Sequence, residues 1–143
     1  MKISARTEYA CIALIELASQ YGVGKPVRIR QIAQAHGIPS RFLVQILLQL
    51  KSAGLVSSTR GAAGGYRLFR PPEQITLSEI VSVMEGPRKL PSEATTLADS
   101  PLAEALQEVW HQADEAQQAV LADVTLATLV ERAARRSENM YYI

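Results

Sequence analysis

The sequence predicts a mainly α-helical fold carrying one small β-hairpin. Apolar residues recur at helical spacing through most of the 143 residues. A short alternating pattern occurs twice, on either side of the glycine cluster in RGAAGGYRL, residues 60 to 68. Glycine and proline stand where the helical runs stop. At this length the chain builds one well-packed domain, or a small domain with a helical appendage.

The first helix is expected over residues 4 to 20, with Ser4 as N-cap and an apolar stripe of Ala10, Cys11, Leu14, Ile15 and Ala18. YGVGK stops it, and Pro26 to Ile29 reads as a short extended piece. A second, short helix lies in RQIAQAHG, with Gly37 where a C-cap belongs. The third opens at Pro39 or Ser40, since a first-turn proline loses no intrahelical hydrogen bond. Its inward face is Leu43, Ile46, Leu47 and Leu50, and Gly54 closes it. Two helices joined around Gly37, with small Ala33 at the crossing and Ile38 plugging the turn, form a helix-turn-helix pattern.

Leu55 to Thr59 and Tyr66 to Phe69 alternate as strands, and Gly61 to Gly65 turns between them. A nucleotide-binding glycine loop would lead into a helix, which Pro71 and Pro72 prevent. The cluster is therefore read as a hairpin, the wing of a winged helix-turn-helix. Thr76 caps a fourth helix, with Glu79 completing a capping box and Leu77, Ile80, Val81 and Met84 on its stripe.

GPRKLPSEATTLADSP is a long loop rich in proline, serine and threonine. Beyond it Leu102, Leu106, Val109, Ala113, Ala116 and Val120 recur at spacings of four and three, an a/d pattern. A last helix runs from about Thr125 to Arg136, and SENMYYI reads as a tail. Twofold pairing with the same helix of a second copy would bury the long stripe; the competing arrangement packs it on the first and last helices of its own chain. The expected organisation is a winged helix-turn-helix with a long C-terminal dimerisation helix. Residues 1–86 form the DNA-binding unit, 87–101 the loop and 102–143 the helical dimerisation region.

Charge divides the chain. Through Pro72 there are ten basic residues and two acidic ones, a net +8; from Glu73 onward five basic residues meet twelve acidic ones, a net −7. The first half suits a polyanion. No apolar run approaches membrane-spanning length, and Glu8, Glu16 and Gln20 interrupt the amino-terminal run in a way a secretory signal does not. A cytoplasmic protein with no membrane partner is expected. The single cysteine, Cys11, is read as a small buried hydrophobe.

With the third helix in the major groove of duplex DNA, Ser40, Arg41, Phe42, Val44 and Gln45 reach base edges or phosphates. Arg41 suits guanine or a phosphate, Gln45 suits adenine, and Phe42 suits either a thymine methyl or the core. Gly64 and Gly65 would let the wing backbone approach the sugar-phosphate chain, while Arg60 and Arg67 supply counterions. Arg28 and Arg30 would clamp flanking phosphates. Histidines 36 and 111 and the lone thiol form no triad or zinc-like spacing, so no enzyme, catalytic residue or metal site is expected.

The run VRIRQIAQAHGIPSRFLVQILLQLKSAGLVSSTRGAAGGYRL, with MKISARTEYA before it and ITLSEIVSVMEG after it, resembles the Rrf2 family of bacterial transcription regulators. The resemblance implies a dimer on an imperfectly palindromic operator, with a long helix crossing into the partner subunit. It places Ser40, Arg41, Phe42 and Gln45 on the recognition helix and Gly64, Gly65, Tyr66 and Arg67 on the wing. Val44 stands where an acidic residue is often found, so the cytosine contact some relatives make there is expected to be absent. Members that carry an iron–sulfur cluster place three cysteines in the loop matching GPRKLPSEATTLADSP, which has none. Glu8 and His36 match two ligands of a relative with mixed ligation, but its loop and late-helix cysteines are missing. The expectation is a cluster-free homodimeric repressor without cofactor, open to an unknown small-molecule or protein effector. The alternative is a dimeric protein-binding adaptor that no longer binds DNA.

Overall fold

The computed structural model describes residues 1–88 and 100–141. Its order is α1 (Ala5–Ser19), α2 (Ile29–His36), α3 (Ser40–Ser52), β1 (Val56–Thr59), β2 (Gly65–Leu68), α4 (Leu77–Glu85), α5 (Pro101–Asp123) and α6 (Leu126–Tyr141), with short 3₁₀ turns at Tyr21–Val23 and Pro72–Gln74. Most of the loop expected at 87–101 lies outside the described residues.

α1 is the central element, packed against α3, α4 and α6. Its start is set by Ser4, whose Oγ accepts the Thr7 backbone N–H at 3.2 Å. Because neighbours cover it from several sides, its buried face is Thr7, Ala10, Ala13, Leu14, Leu17 and Ala18. Cys11 and Ile15, expected on the stripe with Ala10, Leu14 and Ala18, are only partly buried against the core.

Gly37 ends α2 at φ +66°, a left-handed conformation that glycine adopts without the Cβ penalty, and the Ile38 N–H then reaches the Ala33 carbonyl at 3.1 Å. Ile38 is buried in the turn, and Leu43, Ile46, Leu47 and Leu50 form the inward face of α3 as expected. Each such fully buried leucine or isoleucine contributes about 1.5–3 kcal/mol. The core is thus what fixes the second helix of the motif at one angle to the first.

The hairpin pairs β1 and β2 antiparallel, Val56 opposite Leu68 and Thr59 opposite Gly65. The extended piece before α2 joins it: Val27 and Tyr66 exchange two backbone hydrogen bonds of 2.7 Å. Val27, Val56 and Leu68 are buried, so the wing is anchored in the same core as the helices.

At α4, Thr76 Oγ1 accepts the Glu79 N–H at 3.2 Å, but the Glu79 carboxylate does not close the capping box. It is bound by Arg70, 2.8 Å away. α5 packs on α4, and Leu121 is the one residue of α5 that is buried. α6 starts inside the amino-terminal core: Leu126 is fully buried, its N–H reaches the Ile75 carbonyl at 2.9 Å, and Leu77 N–H reaches Val124 at 2.9 Å. The last helix continues through Ser137–Met140, where a tail was expected, because that segment holds no glycine or proline to break the turn.

Candidate nucleic-acid interface

α3 turns Leu43, Ile46, Leu47 and Leu50 inward, and the 3.6-residue period therefore turns Ser40, Arg41, Val44 and Gln45 outward, where all four are exposed. Phe42 neither enters the core nor stands free. It is 38% exposed, its ring stacks on Tyr9 of α1 with centroids 6.4 Å apart, and the Arg41 guanidinium lies 5.0 Å from its centroid. Such a cation–π contact is worth about 0.5–1 kcal/mol at an exposed site, enough to bias where Arg41 points.

The Arg28 backbone opens α2, its N–H donating to Gln31 Oε1 at 2.9 Å, while the side chains of Arg28 and Arg30 are exposed. On the wing, Arg60 and Arg67 are exposed, and Arg67 sits opposite Ser57. The ion pairs among the described residues are His36–Glu16, Arg70–Glu79, Arg88–Asp114 and Arg135–Glu131. Arg28, Arg30, Arg41, Arg60 and Arg67 are in none of them. Five guanidinium groups on the helix-turn-helix and wing thus have no counterion among the described residues, which leaves their charge available to phosphates. Arg70, by contrast, is held by Glu79 and by the Gln74 carbonyl.

The wing glycines are required by close backbone packing within the protein. Gly64 is buried, and a Cβ there would collide with the Thr59 carbonyl. Gly65, at φ +152°, would place a Cβ 2.6 Å from the Val27 carbonyl oxygen. Gly64 thus lets the wing close on itself and Gly65 lets it lie against the Val27 segment, and the exposed tip is Gly61–Ala63. Tyr66 is partly buried against the core.

Lys25 was not singled out from the sequence, yet it shares a cleft of about 220 Å³ with Arg67, Gln20 and Tyr21. The pairing of Val27 with Tyr66 and the packing of β2 on α1 bring these distant segments together, and no spacing rule signals it.

Away from this surface the a/d residues of α5 are open: Leu102 is 80% exposed, Val120 62%, Leu106 55% and Val109 52%, with Ala113 and Ala116 also exposed. Packing on α1 and α6 of the same chain therefore does not cover them. Trp110, which the a/d count passed over, is 48% exposed on the side of α5 that faces α4.

A three-thiolate iron–sulfur site does not fit this chain, which has one cysteine. Burial, then the nearby Glu8 carboxylate, push the Cys11 thiol up to about 11, so it stays protonated on α1. Among the described residues no three histidine, cysteine or acidic side chains gather into a metal-binding group. No described helix is long and apolar enough to cross a membrane.

A helix-turn-helix with an exposed arginine-bearing second helix and an adjoining basic wing defines a winged helix-turn-helix DNA-binding protein. The Rrf2 family profile, described as "Iron-dependent Transcriptional regulator", matches residues 3–132, and the chain belongs to that family. It is similar to the HTH-type transcriptional regulator CymR of Bacillus subtilis (strain 168), 38% identical over 144 aligned residues covering 100% of both chains. The solved structure of CymR (YrzC), the global cysteine regulator of B. subtilis, is 37% identical with a TM-score of 0.82, over 92% of this chain and 98% of that one. T. potens IscR is 34% identical with a TM-score of 0.75, over 93% and 88%. The chain is a helix-turn-helix transcription regulator that binds DNA.

Proposed function

We propose that the protein is a homodimeric, cytoplasmic repressor that binds an imperfect palindrome through α3 and the wing of each subunit, without an iron–sulfur cluster. The observation that carries this reading is the set of five arginines, Arg28, Arg30, Arg41, Arg60 and Arg67, exposed on the helix-turn-helix and wing and in no ion pair among the described residues. Arg41 and Gln45 read base edges, with Ser40 and Phe42 beside them; Arg28, Arg30, Arg60 and Arg67 hold phosphates, joined by Lys25. Gly64, Gly65 and Tyr66 shape the wing that carries Arg67.

Residues 1–86 act as the DNA-binding unit. The exposed stripe Leu102, Leu106, Val109, Ala113, Ala116 and Val120 supports pairing of α5 with a second copy, which sets two recognition helices one turn of DNA apart. Recovery of bound fragments from genomic DNA, followed by footprinting, tests the reading. It expects two protected half-sites about ten base pairs apart, centre to centre, or a multiple of that. A single protected half-site, or protection without sequence preference, would count against it.

A further inference from the structure

A cleft of about 660 Å³ lies where α4, α5 and the amino-terminal segment meet, a size typical of small-molecule sites. Its wall brings Trp110 and Val81 together with Lys2, Glu85, Arg88 and Asp114. Arg88 Nη2 stands 2.7 Å from the Asp114 carboxylate, and Asp114 is only 13% exposed. That pair fixes the guanidinium, while Arg88, with 48% of its side chain exposed, keeps further N–H donors for an incoming group. Glu85 keeps its negative charge in the same wall, but its Oε1 is engaged by the Thr7 hydroxyl at 2.6 Å and the Ser4 N–H at 3.0 Å, and it pairs with neither Arg88 nor Lys2 among the described residues. Lys2 belongs to none of the ion pairs among the described residues. Trp110, 48% exposed, offers a flat apolar face beside these cations.

We propose that this cleft binds a small organic carboxylate with an aromatic body, Arg88 and Lys2 receiving the carboxylate and Trp110 stacking on the ring. Asp114 is a positioning residue: it holds Arg88 and keeps the cleft from accepting a second negative group. Ala113 lines the cleft and also belongs to the α5 stripe, so an occupant bears on the face that sets the spacing of the DNA-reading helices. That regulatory consequence rests on the dimeric reading above; the binding itself does not.

Trp110 is the one tryptophan in the chain, so its indole N–H gives a single, unambiguous NMR resonance. Titration of the full chain with cinnamate is expected to shift that resonance saturably at millimolar concentration, with cinnamamide binding at least about tenfold more weakly. Arg88→Gln is expected to weaken cinnamate by at least about tenfold while the rest of the spectrum holds. Because that change leaves Asp114 unpaired, Lys2→Gln serves as an independent variant and is expected to weaken binding about threefold. No saturable shift with cinnamate, equal binding of the amide, or unaltered affinity in both variants would overturn the proposal. DNA affinity measured on the same samples separates the two readings. Lost cinnamate binding with intact DNA binding removes the cleft alone, and the reverse removes the regulatory reading alone.

Discussion

Leu106 leaves 55% of its surface to solvent in the middle of the exposed α5 stripe. Full burial of a leucine is worth about 1.5–3 kcal/mol, so covering the exposed half contributes about 1 kcal/mol. A twofold interface contains the residue twice. Leu106→Ala is therefore expected to cost the dimer about 2 kcal/mol, a rise of about 30-fold in its dissociation constant. Sedimentation equilibrium over a range of protein concentrations measures that constant directly. Glu115→Gln, exposed on the side of α5 away from the stripe, is the control and is expected to change it by less than about twofold. Thermal unfolding of the dilute monomer separates a loss of pairing from a loss of folding. If Leu106→Ala and Glu115→Gln shift the constant equally, or neither shifts it, the stripe is not the pairing face and the reasoning from its exposure fails.

Four further expectations address the other surfaces. Arg41→Ala should reduce discrimination between operator and scrambled DNA by about 1–3 kcal/mol, whereas Arg67→Ala should weaken both sequences alike and lower the salt slope by about 1; anisotropy titrations on the two duplexes distinguish them, and exchanged effects would contradict the assignment. Gly65→Ala, forced against the Val27 carbonyl at φ +152°, should cost about 2 kcal/mol in urea unfolding, and an unchanged midpoint would show that the wing relaxes freely. The Glu85 carboxyl is held below its ordinary 4.5 by the Thr7 hydroxyl and then by Ser4, so its contribution is complete above pH 4.5 and is lost as pH falls through the lowered value. The stability gap between wild type and Glu85→Gln should accordingly narrow on acidification below 4.5 in unfolding curves, and a gap that widens would reverse that assignment. Cys11, pushed up to about 11 from 9.0, should react with a disulfide reagent about 100-fold more slowly in the folded protein than in urea; equal rates would mean the thiol is open.

Local periodicity carried most of the fold. The inward face of α3, the Ser4 and Thr76 caps and the Gly37 turn follow from spacing and capping chemistry alone, and the structure repeats them. What escaped depends on contacts between distant segments. A helical stripe does not say how many neighbours a helix has, so Ala13 and Leu17 proved more buried than Cys11 and Ile15. An extended piece at Pro26 to Ile29 was legible, but its partner Tyr66 was not, and with that partner came the reason for Gly65 and the nearness of Lys25 to Arg67. Glu79 fitted a capping box by position, yet the Arg70 guanidinium outcompetes a backbone N–H for its carboxylate. The basic character of the site was legible as a charge division; which cations remain unpaired was not, because pairing is decided in three dimensions.

Binding to a recovered operator across a salt series shows whether the unpaired arginines of the helix-turn-helix and wing hold duplex DNA. With four phosphate-holding arginines in each of two subunits, and half to all of them engaged, log affinity should fall linearly with log salt with a slope of about −4 to −7. A scrambled duplex should bind at least about 1000-fold more weakly than the operator. A slope near zero, or equal affinity for both duplexes, would contradict the proposed function.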